Sequence, residues 1–481
     1  MAKSIKKNYL YNLAFQILQV LAPLITAPYI ARIIGPEGNG VSSFTQSIAS
    51  YFILFASVGV ASYGQRQIAM ERDNKRKRSK TFWELFLFKA ITSLISLILY
   101  VIFIVVNGQY TVIYLILGMT ILANAFDIAW FFQGMEEYKL ISIRNIVIKL
   151  IGTALTFILV KTAADLPIYI GIYAVSQLVS SLLLWPEMRK YVVRVPFKSL
   201  RIFRHTKETL IYFLPQIATT IYTVVDKTML GVITGSEAEN GYYEQAYKIT
   251  TLTTTLITSL NTVMTSRMSY LFGKKKDDEL KVRLLKSMRF SLMLSIAFSF
   301  GIAAVAKDFV PWFFGEGYEK VVSLLFVFAP LVTIIAISNC LDWQCLTPVG
   351  KRVQVLGALW GGAVLNVILN LILIPSLASV GAAIGSVFAE LFIAIVFMIL
   401  AKKYISVGKV LGEIWKYLLA GILMFGVVFA ISLVREPSFV TLLIEVLSGA
   451  AIYVATILIL RDSMVFEYID VFKKKLLKKH R

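Results

Sequence analysis

The chain is 481 residues long, 58% hydrophobic and only 16% charged, against roughly 25% charged residues in soluble domains. That deficit excludes a string of water-soluble domains and makes lipid the solvent for most of the surface. A net charge of +21 raises the question of a nucleic-acid surface, but a mean hydropathy of +0.74 leaves no soluble domain to present one; the excess belongs on loops, and no nucleic-acid partner is expected.

A bilayer core takes about 20 apolar residues per helix. The apolar runs therefore predict an all-α polytopic membrane protein with about fourteen spans, at 9–34, 41–63, 82–106, 110–132, 143–163, 167–188, 208–232, 241–270, 286–307, 321–345, 352–374, 380–401, 413–434 and 439–460. The first run is too long for a cleavable signal and continues past Pro28. With the N-terminus inside, 37 of the 49 lysines and arginines fall on cytoplasmic segments and three (Lys307, Lys320, Arg435) on external loops. That asymmetry predicts both termini in the cytoplasm. External connections such as 107–109 and 435–438 are too short for the acceptor domain of a surface polymerase or glycosyltransferase.

The first connection, Gly35-Pro36-Glu37-Gly38-Asn39-Gly40, has a counterpart 200 residues on in Gly235-Ser236-Glu237-Ala238-Glu239-Asn240-Gly241. Gly40 and Gly241, and Arg66 and Arg267, pair at an offset of 201. With matching span order, this reads as a duplicated six-helix unit whose copies enter the membrane in the same direction. It predicts an N-lobe at 1–188, a basic cytoplasmic linker at 189–207, a C-lobe at 208–401, and a final helix pair with a basic tail at 402–481. The substrate is expected between the lobes.

Ionisable side chains within spans are default functional candidates, because each costs about 2.5 to 3.5 kcal/mol at a helix centre unless paired or hydrated. Lys149, Lys227 and Lys248 are the leading cations and suit an anionic head group such as a pyrophosphate. Glu244 and Lys248, four residues apart on one helix, could equally neutralise each other. Arg32, near a helix end, could snorkel outward, and Lys89 could snorkel inward. Asp127 and Asp226, one in each lobe, are candidates for H⁺ or Na⁺ coupling; the bland alternative is a fixed ion pair. Glu244 joins them as a third acid.

The aromatic runs Trp130-Phe131-Phe132 and Trp312-Phe313-Phe314 read as interfacial belts, and the Gly357/Gly361 and Gly381/Gly385 spacings as close helix packing. The tail 466–481 reads as an interfacial amphipathic helix. Both histidines, His205 and His480, lie in basic stretches between apolar segments, which excludes an intramembrane His relay, a Ser-His-Asp triad or a His-rich metal site. Cys340 and Cys345 have neither zinc nor disulfide-framework spacing and read as packing residues.

Four stretches resemble the Wzx-type polysaccharide flippases, a branch of the MOP superfamily that also holds MATE exporters and lipid II flippases. They are Pro28-Tyr29-Ile30-Ala31-Arg32-Ile33-Ile34-Gly35-Pro36-Glu37; Asp127-Ile128-Ala129-Trp130-Phe131-Phe132-Gln133-Gly134 with Glu136; Pro215-Gln216-Ile217-Ala218-Thr219 with Asp226-Lys227; and Gly241-Tyr242-Tyr243 with Ala246 and Lys248. The resemblance implies a V-shaped pair of six-helix lobes that alternates access of a cationic cavity. It implies transport of undecaprenyl-pyrophosphate-linked oligosaccharide across the bacterial plasma membrane for capsule or cell-wall polysaccharide, alongside polymerase and export machinery. Arg32, Lys149, Lys227 and Lys248 would then surround the head group.

The reading is thus a transporter and not an enzyme. No P-loop is present, so an ion gradient or the membrane potential would supply the energy. The rivals are a MATE-like drug or metabolite antiporter, disfavoured by the cavity lysines; a lipid II flippase; and, less favoured, a membrane glycosyltransferase or polymerase.

Overall fold

A computed structural model of the protein describes residues 5–274, 276–405 and 407–467; the predicted tail helix lies outside the described residues from 468 onward. All regular structure described is helical. In chain order the helices are α1 (Ile5–Ser57), α2 (Val60–Met70), α3 (Lys75–Asn107), α4 (Thr111–Phe126), α5 (Ala129–Gly134), α6 (Tyr138–Leu159), α7 (Leu166–Leu182), α8 (Trp185–Met188), α9 (Thr206–Thr234), α10 (Glu237–Gly273), α11 (Asp277–Phe314), α12 (Glu319–Leu341), α13 (Arg352–Leu377), α14 (Ser379–Ala401), α15 (Val407–Val434) and α16 (Phe439–Ile459). Among the described residues, eleven segments are long and apolar enough to cross a membrane, which makes this a multi-pass membrane protein.

Two features separate eleven from the expected fourteen. The first two spans run together in α1, interrupted only at Gly35, whose φ of 73° and ψ of 178° break the helix just before Pro36. A positive φ costs glycine little and Pro36 has no N–H to lose, so one residue does the work expected of a six-residue loop. Helices α9 and α10 are long enough to span but too polar to qualify on composition. They carry Asp226, Lys227, Glu244 and Lys248, and threonines whose hydroxyls bond their own helix: Thr219 to the Pro215 carbonyl (3.0 Å), Thr250 to Ala246 (2.9 Å), Thr254 to Thr250 (2.8 Å) and Thr258 to Thr254 (3.0 Å). Such back-bonding satisfies hydroxyls that would otherwise be unpaired in lipid.

The chain packs as two compact units, Met1–Gly241 and Tyr242–Arg481. In the first, Trp130, Phe131 and Phe132 are buried in a core with Phe82, Phe88 and Leu184. This corrects the interfacial reading: the predicted span 110–132 breaks at Asp127-Ile128, and the short α5 tucks its rings inward. In the second unit Phe314 is also fully buried, while Trp312 stays half-buried against Phe439. Cys340 and Cys345 are buried free thiols. A Cβ at Gly361, Gly381 or Gly385 would meet a neighbouring side chain or backbone, whereas Gly357 faces open space; only three of the four paired glycines serve packing.

The two matched turns meet reciprocally within the first unit. A Cβ at Gly40 would coincide with the Glu237 carbonyl oxygen, and one at Gly241 with the Pro36 carbonyl oxygen. Alongside, the Tyr110 hydroxyl donates to the Glu237 carboxylate. Burial, helped by that bond, pushes the phenol up to about 12, so it remains a donor at neutral pH.

The linker is held, not loose. Glu84, fully buried on α3, accepts from the Arg201 backbone N–H (2.7 Å) and the Arg204 guanidinium (2.7 Å), and lies 3.1 Å from His205 Nε2. The Tyr63 hydroxyl reaches His205 Nδ1 at 2.9 Å. Burial holds His205 below its ordinary value of 6.5 despite the Glu84 bond, so the docked ring is neutral, and the Arg204 Nε–H donates to its Nε2 at 3.0 Å. An undocked His205 takes a proton first as pH falls through 6.5, so the docking stability present above that pH is lost below it. Limited proteolysis within 189–207 is expected to quicken between about pH 7 and pH 5 in the wild type, and to be fast at both in Glu84→Ala.

Candidate functional site

A cavity of about 630 Å³ opens among α1, α4, α6 and α7, and Asp127, Arg144, Asn145, Lys149, Tyr173 and Gln177 are among its lining residues. The break between α4 and α5 positions Asp127. Its Oδ1 accepts the Ala129 N–H at 3.1 Å, and its carbonyl, at the C-terminal end of α4, accepts Lys89 Nζ at 3.0 Å. Lys89 is 1% exposed. It does not snorkel; its ammonium meets the carbonyl end of a helix, where positive charge is favoured.

Of the predicted residues, the cavity brings together Asp127 and Lys149. It adds Arg144, which the sequence assigned to a cytoplasmic loop. Arg144 instead belongs to α6, where its Nε and Nη2 donate to Asn145 Oδ1 (3.0 and 2.7 Å) and its Nη1 to the Ser180 carbonyl (2.9 Å). Those bonds fix the guanidinium plane at the cavity wall. The signal was available, since the predicted span 143–163 already contained position 144.

The other candidates lie elsewhere. Arg32 is exposed on α1, three residues before the Gly35 break. Asp226 is buried on α9 and Lys227 half-buried beside it. Next to them Thr228 Oγ1 bonds Ser47 (2.9 Å) and Tyr51 (3.1 Å) of α1. In the second unit Glu244 and Lys248 form the i,i+4 ion pair, at 3.9 Å, with both side chains half-buried.

A second cavity in the first unit, about 580 Å³, runs between α1 and α9 and shares Ile53 with the first. Ser50, Ser57, Ser62, Gln216, Thr219 and Thr220 line it without a charged residue. Sequence reasoning passed over this neutral wall because it weighed ionisable groups alone; the threonine content of α9 was the legible sign.

Residues 5–272, more than half of the chain, match the polysaccharide biosynthesis protein family, and 212–372 match the MatE family. The Escherichia coli (strain K12) "Putative O-antigen transporter" is 24% identical over 405 residues, covering 83% of this chain and 97% of that protein. Among solved structures, lipid II flippase MurJ in an inward closed conformation has a TM-score of 0.71 at 16% identity, covering 97% of this chain and 99% of that one. An inward-facing MATE multidrug transporter of the MOP superfamily reaches 0.62 at 16% identity, covering 86% and 96%. The chain belongs to the polysaccharide biosynthesis protein family, and its fold is the one shared by MurJ and the MATE transporters.

Proposed function

We propose that the protein is a flippase that carries undecaprenyl-pyrophosphate-linked oligosaccharide from the inner to the outer leaflet of the bacterial plasma membrane. The observation that carries this reading is the pairing of a cation-bearing cavity with a neutral, hydroxyl-lined one. Lys149 and the fixed Arg144 suit a pyrophosphate, Arg through its planar fork. Serine, threonine and glutamine side chains suit sugar hydroxyls, and the lipid tail remains in the bilayer. The family membership and the O-antigen transporter relative point the same way.

In this reading α9 and α10 also cross the membrane and α1 crosses twice, giving fourteen spans with both termini cytoplasmic. Lobes 1–188 and 208–401 alternate access, with 189–207 linking them and 402–481 standing outside the repeat. Arg32, Lys227 and Lys248 complete the head-group ligands. The anion displaces Glu244 from Lys248, and the freed Glu244, with Asp127 and Asp226, is available to bind H⁺ or Na⁺. Polymerase and export machinery take the product at the outer face.

The test is export of labelled carrier-linked oligosaccharide in proteoliposomes. Replacing Lys149, Lys227 and Lys248 together by glutamine is expected to stop it; undiminished export would overturn the cavity-charge mechanism. The match of 212–372 to the MatE family favours a second reading, an exporter of drugs or metabolites. The cationic wall disfavours cationic cargo, and a rise in drug resistance on overexpression would support that reading instead.

A further inference from the structure

Helices α11 and α16 of the second unit pack together, and each brings a carboxyl to their contact. Asp308 is 1% exposed and Glu445 0%. The two side chains lie within hydrogen-bonding reach of each other. Both oxygens of each carboxyl are buried without a hydrogen-bond donor among the described residues. Asp462, beyond the far end of α16 and equally buried, shows what a supplied carboxylate looks like: it accepts the Tyr417 hydroxyl at 3.1 Å and the Met464 and Val465 N–H groups at 3.0 and 3.2 Å.

Two ionised carboxylates are acceptors only, so contact between them is repulsive and each leaves its desolvation uncompensated. Counter-charge is not at hand. Among the described residues, Asp308 is the one group whose charge acts on Glu445. Of the other ionisable groups on the surrounding elements, Lys307 donates to the Ser432 carbonyl (3.4 Å), Glu319, Arg435 and Glu436 are exposed, Lys320 is half-buried, and Tyr318 is buried against Phe314. A single proton resolves the contact, turning one carboxyl into a donor and leaving the other as its acceptor.

We propose that Asp308 and Glu445 form a proton-binding site in which the two carboxyls share one H⁺. Binding makes one O–H bond and one hydrogen bond between α11 and α16. Release leaves two like charges, which must separate or hydrate, so proton occupancy controls the packing of these helices. This site is distinct from the acids at Asp127, Asp226 and Glu244 and does not depend on the identity of the cargo.

Infrared spectroscopy of the purified full-length protein in lipid tests it. At neutral pH the wild type is expected to show a deuterium-sensitive protonated-carboxyl C=O band, a component of which disappears in both Glu445→Gln and Asp308→Asn. A spectrum from which neither substitution removes a component would overturn the proposal, whether or not the variants fold as well as the wild type. So would a band that forms only when sodium is withdrawn, because the resident ion would then be Na⁺.

Discussion

Export of carrier-linked oligosaccharide by proteoliposomes is expected to fall about 100-fold or more when Arg144 and Lys149 are both replaced by glutamine. A hydrogen bond to a charged group contributes about 1.5 to 3 kcal/mol, and about 1.4 kcal/mol is tenfold in an equilibrium. Each single replacement is therefore expected to cost about tenfold or more. Arg144→Lys separates charge from shape: it keeps the cation but loses the fork fixed by Asn145 and the Ser180 carbonyl, and should recover only part of the activity. Initial rates at a fixed protein-to-lipid ratio check all four variants. Full rescue by lysine would show that Arg144 supplies only charge, and unchanged rates throughout would remove this cavity from the transport path.

The second large effect concerns Gly40 and Gly241. Valine at either position is expected to destabilise the protein by about 3 kcal/mol or more and to abolish export, because overpacking typically costs 1 to 3 kcal/mol even where side chains can yield. Here the obstacle is a carbonyl of the opposite turn, which cannot yield without unwinding a helix. Alanine should already be harmful. Gly357→Ala, where nothing stands within 4 Å, is the matched control; it should be neutral or stabilise by up to about 1 kcal/mol, as replacing a helical glycine usually does. Melting curves of the solubilised variants check the series. Equal stability of Gly40→Val and Gly357→Ala would contradict the close approach.

Much of the fold was legible because lipid imposes one rule on every span. Long apolar runs had to become helices, and they did. What the runs could not reveal was where a helix breaks or joins. Gly35 was read as the start of a loop, yet one glycine with positive φ leaves the rest of 36–57 free to continue the helix. Asp127 was read as a charge inside a span, whereas it ends one helix and caps the next. Pairing across space was hidden for the same reason. Nothing in the neighbourhood of Glu84 announces a partner at Arg204, 120 positions on, and nothing near Asp308 announces Glu445. Charge counting also misfiled Arg144, because its place on the cavity wall depends on the Ser180 carbonyl of another helix.

The polarity of α9 and α10 has a consequence for how the protein is made. A segment that holds an acid, a base and a row of hydroxyls partitions poorly into a bilayer on its own, since each charge at a helix centre adds about 2.5 to 3.5 kcal/mol to the cost of insertion. Helix α9 finds its partners in α1, where Ser47 and Tyr51 meet Thr228. In the fourteen-span reading proposed above, the earlier helices are expected to stay beside the insertion site until residues near 234 emerge from the ribosome. Synthesis order, with the most lipid-averse helices following a scaffold already in place, becomes part of what makes the sequence foldable.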